Sequence, residues 1–258
     1  MQVRSVFLIL LLSIPFFAQA KTVFTVAYED KIQFPYYMGE SLEVLVDKPG
    51  TAVELVKLIE SRVPGVKVEF KRCPWKRCLL EIAQGNVDAL FNASFKESRL
   101  KLGAYPWKAG SVDVDRRLTT IAYHFYKQKG SEFSWDGTNV SGSPIIGAPR
   151  GYSIVGDLKE LGLEVSEAHS TEANLKKLLA SRVSAVALQE VTGDYFLKGS
   201  SEFERLEKVY PPIKTKPYYL MISNQFKEKN IKLANKIWDA VATLREGRLQ
   251  DITRKYFN

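Results

Sequence analysis

Histidine is nearly missing from this chain: two residues in 258, His124 and His169. Cysteine is as scarce, with Cys73 and Cys78 alone, and neither histidine lies near them in sequence. A zinc site of Cys/His spacing therefore has no donor set, and no metal or cofactor is expected. After the first twenty residues no segment approaches the ~18 unbroken apolar residues of a membrane span. There is no long Lys/Arg run and no basic-aromatic motif, which argues against nucleic acid as a partner. Nor is there a nucleophile elbow, metal-ligand spacing or a Ser–His or Cys–His pairing of the catalytic kind, so the common hydrolytic chemistries lack their parts.

What is present describes a folded globular chain. Hydrophobic residues make up 45% and charged residues 26%, close to the average for such proteins. The length accommodates one large domain or two lobes of roughly 100 residues each. The formal charge is +8, but the cations alternate with Glu and Asp. That pattern is a solvated surface, which can also draw in an anionic solute. Residues 1–20 carry one cation, Arg4, then the run Val6-Phe7-Leu8-Ile9-Leu10-Leu11-Leu12, and end Ala18-Gln19-Ala20. A charged start, a short apolar core and a small-x-small end read as a secretory leader cleaved after Ala20. The expected compartment is the periplasm.

The cysteines sit in Arg72-Cys73-Pro74-Trp75-Lys76-Arg77-Cys78 and leave two readings. In an oxidising compartment a lone pair suggests one disulfide. However, Pro74 marks a helix start, and two fully helical residues five apart cannot be bridged. Cys78 then stays a buried thiol, on a face shared with Trp75, Leu79 and Ile82, unless Cys73 folds back from outside the helix.

Along the chain, strand and helix signals alternate. Residues 22–28 read as a strand, and Ala52, Leu55, Val56 and Ile59 recur at helical spacing after Pro49-Gly50. Residues 66–71 alternate as a strand. Trp75, Cys78, Leu79 and Ile82 mark a helix stopped by Gly85, and residues 87–91 are a buried strand. A second set follows: a long strand at 118–126, a Gly/Ser/Asp/Asn-rich loop at 129–143, and a short strand at 145–148. A helix opened by Gly151-Tyr152-Ser153 comes next, then another capped at Ser170 or Thr171. Strands at 185–188 and 218–223 follow, the latter after a Pro211-Pro212 turn. Ala234, Ile237, Trp238, Val241 and Leu244 form one helical stripe, and a separate short helix is expected at 248–256. This order predicts an α/β fold of two lobes, each a mostly parallel sheet flanked by helices, joined by two crossing strands acting as a hinge. Lobe one comprises 21–117 plus 218–258, and lobe two 118–217.

Ligands of open α/β sheets bind where strand carboxyl ends face a crevice. Asn92, Ser94 and Arg99 follow the strand ending at Phe91, Ser153 follows Ala148, and Gln189 and Glu190 follow Leu188. Arg99 offers a planar two-pronged donor suited to a carboxylate, with Asn92 and Ser94 as neutral donors beside it. Tyr36 and Tyr37 are further candidates. If their segment is extended they point in opposite directions, so one faces the pocket and the other packs.

These residues carry a resemblance. Phe34-Pro35-Tyr36-Tyr37, Gly85-x-Val87-Asp88-Ala89, Glu97-Ser98-Arg99, Gly151-Tyr152-Ser153 and Arg182-Val183-x-Ala185-Val186 together resemble the polar amino-acid type of periplasmic solute-binding proteins, bacterial family 3, over the whole mature chain. Pro74-Trp75-Lys76-Arg77-Cys78 with Asn92-Ala93-Ser94-Phe95-Lys96-Glu97-Ser98-Arg99 looks like a stand-alone subgroup. The resemblance implies that Arg99 grips a ligand carboxylate, that Ser153 donates from a helix N-terminus, that Tyr36 or Tyr37 stacks on the ligand, and that an acid after the lobe-two strand takes the ligand ammonium. At that last position this chain has Gln189, a neutral amide, with Glu190 one residue later. The resemblance further implies binding without chemistry, by a monomer, with a membrane permease or a sensor ectodomain as partner. The alternatives are a sensory or interaction protein with no transport role and a cleft dehydratase using Glu190.

Overall fold

The computed structural model describes residues 21–257; the leader expected over residues 1–20 lies outside them. The chain opens with β1 (Thr22–Glu29), α1 (Thr51–Lys57), α2 (Ile59–Arg62), β2 (Val66–Cys73), α3 (Trp75–Gln84) and β3 (Ala89–Ser94). β1 lies between β2 and β3 and is parallel to both, with Thr22 opposite Val66 and Glu29 opposite Cys73. A small hairpin, β4 (Trp107–Lys108) and β5 (Ser111–Val112), precedes the long β6 (Thr119–Gln128). The second set comprises β7 (Ile145–Pro149), α4 (Ser153–Glu160), β8 (Glu164–Ala168), α5 (Thr171–Leu179), β9 (Ala185–Gln189) and α6 (Glu190–Gly199). The chain returns through β10 (Leu206–Ile222) and ends with α7 (Asn224–Lys229) and α8 (Ile231–Phe257).

The strand order is β2-β1-β3-β10-β6-β9-β7-β8. Each parallel trio, β2-β1-β3 and β8-β7-β9, forms the sheet of one lobe. The antiparallel pair β6 and β10 joins them, where crossings were expected at 118–126 and 216–223. No helix among the described residues is long and apolar enough to cross a membrane.

Local chemistry explains the boundaries. Gly85 ends α3 in the left-handed region at φ 73°, which only glycine adopts without a steric cost. Ser170 caps α5 by accepting from the Ala173 N–H at 3.1 Å, satisfying one of the orphan donors of the first turn. Asp88 Oδ2 accepts from the Thr25 N–H at 2.8 Å, so the acid of the Gly-x-Val-Asp-Ala motif ties β3 to β1.

Three expectations need correction. Pro211-Pro212 makes no turn that starts a strand. β10 runs through it, and its pairing with β6 breaks only between Val209 and Lys214, since a proline supplies no N–H to the ladder. β8 carries no strand signal in sequence: Glu164-Val165-Ser166-Glu167-Ala168 is polar, and it holds its place as an edge strand paired to β7 alone. The two expected C-terminal helices are one. α8 continues through Gly247, a penalty of about 1 kcal/mol set against the burial of Trp238, Val241, Leu244 and Ile252 and a Trp238 Nε1 hydrogen bond to Leu220 O at 2.8 Å.

The cysteines are joined. Cys73 ends β2, Pro74 is the N-cap of α3, and Cys78 lies in its first turn, with Cα atoms 5.5 Å apart. Cys73 has extended backbone, so the pair escapes the helical spacing that forbids a bridge. The disulfide staples the start of α3, and hence Trp75, to the end of β2. Closing so short a loop is worth about 2 kcal/mol in the chain-entropy account. The Cys73→Ala/Cys78→Ala variant should therefore melt about 4–8 °C lower by calorimetry; an unchanged melting temperature would show that the bridge adds no stability.

Candidate functional site

β3 is buried along its whole length and ends at the crevice. Asn92 within it has φ 54°, turning the chain so that Ser94 and the following 3-10 turn, Glu97–Arg99, face inward. Arg99 is only 6% exposed. Its Nη1 donates to Ser94 O at 2.9 Å and lies 3.3 Å from Ser94 Oγ, Nη2 donates to Gly151 O at 3.4 Å, and the guanidinium stacks 5.4 Å from the centre of the Trp75 ring. Its partners are carbonyls, a hydroxyl and an aromatic face. No carboxylate pairs with it among the described residues, so a buried cation stands without a counter-ion.

The opposite wall comes from lobe two. After β7, Gly151 has φ 76°, and a Cβ there would lie 3.2–3.3 Å from Lys76 and Trp75. Glycine is thus needed both for the turn and for the close approach of lobe one. Gly151 O accepts from Trp75 Nε1 at 3.1 Å as well as from Arg99. Tyr152 is the N-cap of α4 and Ser153 its first residue, with no side-chain cap bond. Ser153 Oγ instead accepts from Lys216 Nζ of β10 at 3.2 Å, and Lys216 is also ion-paired with Asp157. Gln189 closes β9 and donates through Nε2 to Tyr123 OH at 3.3 Å; Tyr123 OH in turn shares a 2.6 Å hydrogen bond with Tyr218 OH.

A third group crosses the cleft. Glu29, the last residue of β1, is 5% exposed. Its Oε2 accepts from Tyr37 OH at 3.0 Å and from Tyr152 OH, joining lobe one to lobe two. Burial pushes the Glu29 carboxyl up to about 7, against the opposing effect of the two tyrosine hydrogen bonds. The neighbouring Lys31 offsets only a small part of the desolvation, and Asp30 adds to it.

Tyr37, Asn92, Ser94, Arg99, Ser153 and Gln189 thus surround one cavity, with Trp75, Tyr152 and Tyr218 completing it. Its free space is about 10 Å³ for the centre of a water molecule, room for about one water. Two expected residues are elsewhere. Tyr36 is buried away from the cavity; its backbone holds the turn, donating to Gln33 O at 2.7 Å and accepting from the Ala52 N–H at 3.0 Å. The segment is a turn and not extended, and it is the turn that leaves Tyr37 alone facing the cavity. Glu190 begins α6 and projects to the far side of the strand end. There its Oε1 accepts from Lys208 at 2.9 Å and lies 3.5 Å from His124 Nε2. It is a neutralised ion-pair partner, outside the cavity.

Sequence reasoning missed Glu29, Tyr152 and Tyr218, and favoured a core role for Trp75. The available signal for Glu29 was an acid closing the apolar run Val26-Ala27-Tyr28 at a strand's carboxyl end. Tyr218 carries no local signal, because its place follows from β10 crossing beside β3.

The fold has close counterparts. The ligand-binding core of GluR0 from Nostoc punctiforme, in complex with L-glutamate, superposes with a TM-score of 0.68 at 16% identity, covering 91% of this chain and 99% of that one. The amino acid ABC transporter substrate-binding protein AbpA from Streptococcus pneumoniae, bound to L-arginine, gives 0.70 at 18%, covering 91% and 94%. A histidine kinase sensor domain similar to periplasmic binding proteins gives 0.70 at 19%, covering 93% and 97%. At such identities the likeness shows the fold alone. No curated protein matches the sequence. The sequence model of the bacterial extracellular solute-binding proteins, family 3, matches residues 42–258, and the chain belongs to that family.

Proposed function

We propose that this protein captures a small carboxylate-bearing solute by closing two lobes over it, without chemical turnover. The observation that carries this reading is Arg99: a guanidinium buried at the junction of the lobes, offered only neutral partners. A ligand carboxylate supplies the missing charge, and a buried, charge-assisted pair of this kind is far stronger than one in water. Ser94 and the start of α4 at Ser153 add polar groups on either side.

In this reading lobe one is 21–117 with 218–258, lobe two is 118–217, and β6 with β10 forms the hinge. Closure is a population shift driven by the ligand's extra affinity for the closed form. Residues 1–20 act as a leader removed after Ala20, placing a monomer in the periplasm. The solute passes to a membrane permease, or its capture is reported to a sensor ectodomain. Glu190, the residue on which a dehydratase reading rested, is paired with Lys208 away from the cavity, which favours binding over catalysis.

The test is a thermal-shift screen of refolded, ligand-stripped protein against amino acids, hydroxy acids, keto acids and dicarboxylates. A ligand at ~100-fold over its Kd adds about 2.7 kcal/mol, a rise of several degrees. The rise should vanish in Arg99→Ala. A carboxylate shift that survives Arg99→Ala would assign the carboxylate to another site.

Glu29 gives a second expectation. Its carboxyl titrates near 7 when folded and near 4.5 when unfolded. Between those values the folded state holds the extra proton, so stability falls as pH rises. Wild type should lose about 3 kcal/mol more than Glu29→Gln between pH 4.5 and pH 8 in urea unfolding. Parallel pH profiles for the two proteins would show that Glu29 titrates normally.

A further inference from the structure

Two side chains of this cavity carry polar atoms that nothing among the described residues pairs. Asn92, 6% exposed on the lobe-one wall, leaves both Nδ2 and Oδ1 without a partner. Gln189, 4% exposed on the lobe-two wall, uses Nε2 toward Tyr123 and leaves Oε1 unpaired. Both line the cavity beside Arg99. A buried polar group without a partner is costly, and Asn92 also holds a left-handed backbone at φ 54°, a strained state for a non-glycine residue. Strain and unpaired groups at one spot of a pocket mark a place built for a ligand atom.

The identity of the unpaired atoms restricts that atom. Gln189 Oε1 needs a donor and Asn92 Nδ2 needs an acceptor. A carboxylate only accepts, so the group that meets Arg99 cannot also satisfy Gln189. An ammonium only donates, and it brings a charge. Of the nearby acids, Glu29 is occupied by the Tyr37 and Tyr152 hydroxyls, and Glu190 is bound to Lys208 outside the cavity. An ammonium would therefore sit buried between two neutral amides, which is unfavourable without a counter-charge. Tyr37, Tyr152 and Tyr218, which also line the pocket, are hydroxyls held protonated by burial and add no charge. A ligand hydroxyl meets one atom of each amide without adding a charge: it donates once, to Gln189 Oε1, and accepts from Asn92 Nδ2, leaving Asn92 Oδ1 as the one atom it does not pair.

We propose that the solute is a hydroxy-carboxylate, its carboxylate on Arg99 and its hydroxyl set between Gln189 Oε1 as acceptor and Asn92 Nδ2 as donor. This rests on the carboxylate-binding reading above and assigns Asn92 and Gln189 as the residues that select the ligand.

The test is titration calorimetry on ligand-stripped protein with sets differing at one carbon: propionate, pyruvate, L- and D-lactate and L-alanine; succinate, L-malate and L-aspartate; phenylpropionate, phenylpyruvate, phenyllactate and phenylalanine. In at least one set the hydroxy member should bind ten-fold or more tighter than every other. Asn92→Gly, which keeps the left-handed turn, should weaken that member at least ten-fold while changing the unsubstituted acid less than three-fold. Gln189→Asp should move preference toward the amino member. If an amino, keto or unsubstituted member binds wild type as tightly or more tightly, the hydroxy-carboxylate proposal is overturned while carboxylate capture stands. Undiminished hydroxy-acid binding in Asn92→Gly overturns the role of Asn92. No binding by any member, to protein that melts cooperatively, overturns both readings.

Discussion

A guanidinium buried without a counter-ion is the constraint around which this molecule is arranged. Removing Arg99 from water is costly unless its donors are met, and the chain meets them with carbonyls from both lobes, Ser94 O and Gly151 O, under the face of Trp75. Each of those partners makes its own demand. Gly151 must be glycine to bring its carbonyl so near. Trp75 must sit at the start of α3, where the Cys73–Cys78 bridge pins it. Ser94 must end a strand that is buried throughout.

The sheet topology supplies the rest. Parallel strands in each lobe align their carboxyl ends, and the antiparallel pair β6 and β10 turns the two sets of ends toward one crevice. Glu29, Ser94 and Gln189 are each the last residue of a strand. The positive and negative groups of the site are therefore delivered by backbone geometry. Arg99 and Glu29 are not paired with each other: the acid is held by tyrosine hydroxyls from the two lobes and the base by carbonyls. Arg99 lines the cavity with only neutral partners, which is the condition for an outside anion to compete for it, whereas Glu29 is closed off by its two hydroxyls.

Much of this was legible in the residues. The alternating strand and helix signals, the stop at Gly85, a cap at Ser170 or Thr171 and the positions of Asn92, Ser94, Arg99 and Gln189 at or just beyond strand ends all follow from short-range patterns. The errors have a common physical origin. Neighbours in sequence point in different directions, Tyr36 and Tyr37 in a turn and Gln189 and Glu190 where a strand passes into a helix, so choosing between them requires knowing which side the crevice lies on. Lys208, which settles the position of Glu190, lies 18 residues further along, on β10. The polar edge strand β8 and the continuation of α8 through Gly247 owe their existence to what they pack against, and local propensity carries no record of that.

The sequence by itself determined the class of fold, the two strand-helix sets in order apart from β8 and α6, and the placement of Asn92, Ser94, Arg99, Ser153 and Gln189 near strand ends, because these depend on periodicity and on backbone preferences within a few residues. Only the tertiary structure decided which of those side chains meet. It joined Cys73 to Cys78, placed Glu29 against Tyr37 and Tyr152, brought Tyr218 to the cavity, and left Asn92 and Gln189 with unpaired atoms. Apart from the disulfide, whose cysteines are close in sequence and meet because a strand runs into a helix there, those outcomes are set by contacts between residues distant in sequence, as with Glu29 and Tyr152.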